Sequence, residues 1–78
     1  MPTVLRKGPY RLYFYGHDIR EPAHVHVDRD NLSAKFWLED VNLASNVGFS
    51  PSELKKVIKL VGENRESLLE KWHGYFGR

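Results

Sequence analysis

Between Glu21 and Asp30 the chain reads EPAHVHVDRD, which sets two histidines two residues apart inside a short apolar run. Histidine titrates near neutrality, so such a pair can supply an acid and a base, or two metal ligands. A strand repeats every two residues, so His24 and His26 point to one face and Val25 and Val27 to the other. Cleavage of RNA by its own 2′-hydroxyl needs one group to take the hydroxyl proton, another to protonate the leaving oxygen, and cations for the charge that develops. His24 and His26 fit the first two roles, and Arg11 and Lys35 the third. Tyr13, Tyr15 and Trp37 add flat surfaces on which unpaired bases can stack. The expected catalytic set is His24, His26, Arg11 and Lys35, with Tyr13, Tyr15 and Trp37 as nucleic-acid contacts. A metal site would need a third ligand from His17, Glu21 or Asp28, and Lys35 beside His26 would repel a cation, so a His-x-His metal-binding protein is the third reading and no metal or cofactor is expected on the first. A plain solvated sheet face also carries His, Tyr, Arg and Lys, and such a face serves equally as a non-catalytic protein interface.

Those residues need a sheet to hold them. TVLRK and YRLYFYG are β-branched and aromatic runs on either side of Gly8-Pro9, which reads as a tight hairpin with Lys7 opposite Tyr10 and Leu5 opposite Leu12. Leu5, Tyr10, Leu12 and Phe14 then share one face, and Val4, Arg11, Tyr13 and Tyr15 the other. A polar loop, GHDIREPA, leads into HVHV. A second turn at Asp30-Asn31 pairs Val27 with Ala34, Val25 with Phe36, His26 with Lys35 and His24 with Trp37. Two strands therefore agree on an apolar face of Val25, Val27, Ala34, Phe36 and Leu38. A turn at Glu39-Asp40 leads into a short segment at 41–44.

The last third reads as one helix over 51–73. Ser50 is its N-cap, Pro51 its first residue and Glu53 the partner in a capping box, with Phe49 and Leu54 as a staple and Gly74 or Gly77 at its end. Leu54, Val57, Ile58, Val61, Leu68, Leu69, Trp72 and Phe76 form the apolar stripe. Arg65 falls inside that stripe and should reach the sheet margin or a carboxylate at Asp18 or Glu21. Leu60 falls outside it and could mark a partner surface. The expected fold is α+β, a single domain with strands at 3–7, 10–15, 23–28 and 33–38 and a short one at 41–44. Three or four strands form an antiparallel sheet, one face under a long C-terminal helix and the other open.

The chain has 78 residues, too short for a deep active-site cavity, so a site would be a groove or a sheet face. Twelve Lys and Arg against ten Asp and Glu give a net charge of +2, which permits an anionic partner without requiring one. The absence of cysteine excludes a disulfide framework and a Cys-based zinc site. MPTVLRKGPYRLYFY holds no signal-peptide pattern and no apolar run is long enough to span a bilayer, so a cytoplasmic protein away from the membrane is expected.

GPYRLYFYGHD, EPAHVHVDRD, AKFWLEDV and FSPSELKKVIKLV together resemble a small bacterial and archaeal family of unknown function, over nearly the whole chain. The resemblance implies a small domain, some of whose relatives are suspected components of toxin–antitoxin pairs, with a second small protein as partner. RNA and such a cognate protein are the expected partners. The family pattern usually has a second proline where Ala23 stands and another polar residue where His17 stands, whereas His24 and His26 fall on the motif itself.

Overall fold

The computed structural model describes residues 3–15 and 20–77. It is α+β, with β1 (Thr3–Lys7), β2 (Tyr10–Tyr13), β3 (His24–Arg29), β4 (Leu32–Trp37) and β5 (Asn42–Val47) followed by α1 (Pro51–Glu63) and α2 (Arg65–Phe76). The strands form one antiparallel sheet in chain order, β1-β2-β3-β4-β5. Each neighbour is reached by a short turn except between β2 and β3, which are separated by the stretch 14–23.

Turn chemistry sets the register. Gly8 lies in the left-handed region at φ 56°, and with Pro9 it closes a two-residue turn that pairs Lys7 with Tyr10 and Leu5 with Leu12. Asp30, at φ 55°, closes the next hairpin, in which Val25 faces Phe36 and His26 faces Lys35. An aspartate tolerates this conformation better than most residues.

Leu12, Phe14, Val25, Val27, Ala34, Phe36 and Leu38 are buried on one side of the sheet beneath Val57, Val61, Leu68 and Trp72 of the helices. The apolar face is therefore the one that period-2 alternation implies.

Three expectations need correction. The sheet has five strands rather than three or four, because the segment expected at 41–44 is a six-residue strand, Asn42–Val47. Its sequence, NLASNV, alternates too weakly to announce itself, and a register shift opposite Lys35 and Phe36 offsets its partners further. The helix is not continuous over 51–73. Asn64, at φ −110° and ψ 11°, separates α1 from α2, and its side-chain amide donates to the Leu60 carbonyl at 2.8 Å. A side chain that competes for a helical carbonyl bends the helix at that point. The buried stripe is also turned slightly, so Leu60 packs against the core whereas Ile58 is 39% exposed. Leu60 is thus no candidate anchor for a partner.

Ser50 caps α1 by accepting from the Glu53 amide at 3.2 Å. The Glu53 carboxylate turns to the sheet instead of back to Ser50, accepting from Arg29 Nε at 2.5 Å, Arg29 Nη2 at 2.8 Å and the Tyr10 hydroxyl at 2.8 Å. Arg65 donates to the carbonyls of Leu38 at 2.6 Å and Glu39 at 2.8 Å. It is satisfied at the sheet margin as expected, by backbone rather than by a carboxylate. Gly77, at φ 71°, ends α2.

Candidate functional site

The polar face is built from alternate residues of neighbouring strands. Arg6 lies opposite Arg11, Tyr13 opposite His26, Arg11 opposite Asp28, and His26 opposite Lys35. His24 lies opposite Trp37, and Lys35 opposite Ser45. The register thus brings all seven expected residues, Arg11, Tyr13, Tyr15, His24, His26, Lys35 and Trp37, into one neighbourhood. It does not leave them all accessible.

His24 is wholly buried. Its ring lies 5.6 Å from that of Trp37, 5.1 Å from that of His26 and 5.1 Å from that of Trp72 in α2. Trp72 also meets Phe14 edge-on at 5.1 Å, so one indole contacts both the core face of the sheet and this histidine. The polar face is therefore closed at its His24 end rather than open throughout. His24 Nδ1 lies 2.9 Å from the Pro22 carbonyl, which can only accept, so this nitrogen carries the proton in that bond. A ring so placed holds the loop before β3 and is out of reach of a macromolecular substrate.

Tyr13 is also buried, at 4% exposure. Its ring stacks on His26 at 5.1 Å, and its hydroxyl donates to both oxygens of Asp28 at 3.1 Å. Burial, with the neighbouring Tyr15 and the Asp28 carboxylate, pushes the Tyr13 hydroxyl well above the usual phenol range. Tyr15 is half-buried and meets His26 edge-on at 4.9 Å. His26 is half-buried as well, held between these two rings. The aromatic residues form a second small cluster rather than a row of open plates.

The cations are disposed unequally. Lys35 Nζ lies 2.6 Å from Glu21 Oε1 and 4.6 Å from the Trp37 ring centroid. That Glu21 oxygen is also 3.6 Å from His24 Nδ1. Lys35 is thus engaged by a carboxylate and covers the indole assigned to base stacking. Arg11 packs over the Tyr13 ring at 4.7 Å, and the exposed Arg6 stands directly across the strand boundary from it. Arg11 also faces Asp28 across the β2–β3 boundary, so a carboxylate flanks the arginine pair. Arg6 was missed in the sequence, although counting back from the Gly8-Pro9 turn places it there. Asp28, considered only as a metal ligand, instead accepts from the Tyr13 hydroxyl, and Trp72 was missed at this site because its contact crosses most of the chain.

Among the described residues, no group of three His, Cys, Asp or Glu side chains is gathered closely enough to hold a metal. His17 and Asp18, named above as a third ligand and as a partner for Arg65, lie outside the described residues. Among the described residues, no helix is long and apolar enough to cross a membrane.

Comparisons with curated proteins and with solved structures returned no match. A family described as a domain of unknown function, DUF4160, matches residues 10–73, from the start of β2 into the last turns of α2. That span holds His24 and His26, the aromatic cluster and most of the core, and the chain belongs to this family.

Proposed function

We propose that the chain is a small RNA-binding regulatory component of a toxin–antitoxin-type pair, working beside a cognate protein, and that the polar face of its sheet takes single-stranded RNA. The observation that carries this reading is the Arg6–Arg11 juxtaposition at the rim of the tyrosine–histidine cluster. Arg6 and Arg11 face each other in register, and a guanidinium binds phosphate in a fork geometry. Tyr15 and His26, both half-buried, offer ring edges and faces beside that phosphate.

Binding is favoured over cleavage. A metal-free ribonuclease needs two acid–base groups touching the ligand. His26 can reach a ligand, but His24 is sealed between two tryptophans. RNA should therefore remain intact in the presence of the pure protein. The test is a fluorescence-anisotropy titration of a labelled single-stranded oligoribonucleotide at low salt, comparing the wild type with an Arg6→Ala/Arg11→Ala double variant. Saturable binding that weakens at least about tenfold in the variant is expected, since a single charged contact contributes about 1.5–3 kcal/mol. An unchanged affinity, or no binding at all, would sink the reading.

A further inference from the structure

The cations of the polar face are presented differently. Arg6 and Arg11 stand at its β1–β2 rim, whereas Lys35, on β4, lies under the carboxylate of Glu21, with Nζ 2.6 Å from Oε1. Register sets Tyr13, His26, Lys35 and Ser45 in one row across β2, β3, β4 and β5. The half-buried His26 ring therefore lies between the arginine rim and the lysine. A phosphodiester chain laid across the strands from Arg6 and Arg11 passes that ring and meets Lys35 next.

Neither partner depends on the Glu21–Lys35 pair for its place. The Ala23 carbonyl accepts from the Leu38 N–H at 2.9 Å, and the Pro22 carbonyl from His24 Nδ1 at 2.9 Å, so the backbone before β3 is anchored without the Glu21 side chain. Glu21 Oε1 lies 3.6 Å from His24 Nδ1, whose proton is already committed to Pro22. The Lys35 ammonium rests 4.6 Å from the centroid of the Trp37 ring, an attraction that persists when the carboxylate leaves. The Glu21 side chain is 47% exposed and that of Lys35 21%, so water reaches the pair, and an ion pair this accessible is weakly held.

We infer that Glu21 is an internal competitor for RNA: its carboxylate occupies a second phosphate position, at Lys35, and is displaced when a bound strand reaches it. This rests on the RNA reading of the face and adds a second phosphodiester subsite to it. Carboxylate and phosphate oxygens both accept from an ammonium, so one replaces the other on Lys35 Nζ with no change in the sheet. Only a strand long enough to hold the arginine rim and Lys35 together recovers the cost of expelling Glu21. The face thereby favours longer single strands over short ones.

The test is a double-mutant cycle of Glu21→Gln and Lys35→Met, read by fluorescence anisotropy with a labelled single-stranded oligoribonucleotide at low salt. Gln keeps the shape of Glu21 without its charge, and Met keeps an apolar stem on the indole. Circular dichroism and thermal melting check that each variant is folded. Glu21→Gln should tighten binding by about threefold to fivefold, the worth of an exposed ion pair, and Lys35→Met should abolish that gain. Affinity unchanged or weakened by Glu21→Gln would overturn the inference, as would a gain that persists in the Lys35→Met background, since a general change of charge would then explain it. The Arg6→Ala/Arg11→Ala variant separates the two claims. Wild-type binding that depends on the arginines but is indifferent to Glu21 sinks the competitor alone, whereas wild-type protein that binds no RNA sinks the reading of the face and the competitor with it.

Discussion

Removing the His24 ring should be a stability lesion, whereas removing the His26 ring should be a binding lesion. His24→Ala empties a fully enclosed space between Trp37 and Trp72 and should cost about 2–4 kcal/mol in a urea unfolding titration, the usual range for truncating a large buried side chain. His26→Ala, on a half-buried ring, should cost clearly less and reduce RNA affinity. Equal losses of stability in the two variants would contradict this division. Tyr13 gives the second residue-scale prediction. Its hydroxyl is held protonated well above the ordinary phenol range, mainly by burial and then by Tyr15 and Asp28. The folded state therefore keeps a proton that the unfolded chain releases near pH 10. This contribution is complete below that pH and is lost as pH rises beyond it, so the melting temperature should fall in alkali. Tyr13→Phe should flatten that fall while costing about 1 kcal/mol at neutrality through the lost bond to Asp28. The alternation of HVHV gave the facing of both histidines from sequence. Local spacing held no sign that an indole nearly fifty positions on would close over one of them.

Each helix is tied to the sheet by one arginine, and the two ties should fail in different ways. Arg65 supplies donors to the Leu38 and Glu39 carbonyls where β4 ends. Arg65→Ala removes both, and should cost about 1.5–3 kcal/mol, the range for hydrogen bonds from a charged group. Arg65→Lys should restore only part of that, because an ammonium cannot reproduce the two-pronged geometry. Recovery to wild-type stability in the lysine variant would count against this account. At the start of α1, the Arg29 guanidinium holds the Glu53 carboxyl below its ordinary range, with the Tyr10 hydroxyl assisting. A depressed carboxyl stabilises the fold above its unfolded value and loses that contribution as pH falls through the folded value. The melting temperature should therefore drop on acidification below about pH 4–5, and Glu53→Gln should remove part of that dependence. Hairpin registers were legible because Gly8-Pro9 and Asp30-Asn31 are strong turn signals between alternating strands. The break at Asn64 was not, since a single polar residue in a long apolar period reads as a surface position until its amide is seen on the Leu60 carbonyl. β5 escaped full recognition because an edge strand exposed throughout needs no apolar alternation.

At the scale of the molecule, a five-stranded sheet with both helices on one side leaves a single face for a large ligand, and that face carries the Arg6–Arg11 pair at one edge and the tyrosine–histidine cluster beside it. The chain's net charge of +2 is too small to hold RNA by general attraction, so affinity should depend on this local pair. Arg11 was visible in the sequence as a basic residue among aromatics; its partnership with Arg6 required the hairpin register to be drawn out fully. The most direct measurement is the salt dependence of binding to single-stranded RNA. Each phosphate neutralised on a single strand contributes a slope of about −0.7 in a plot of log affinity against log salt. The Arg6→Ala/Arg11→Ala variant should bind more weakly and with a slope shallower by about 0.7, the share of the one phosphate that the two arginines hold. Parallel lines for the wild type and the variant would place the RNA elsewhere and contradict the assignment of this face.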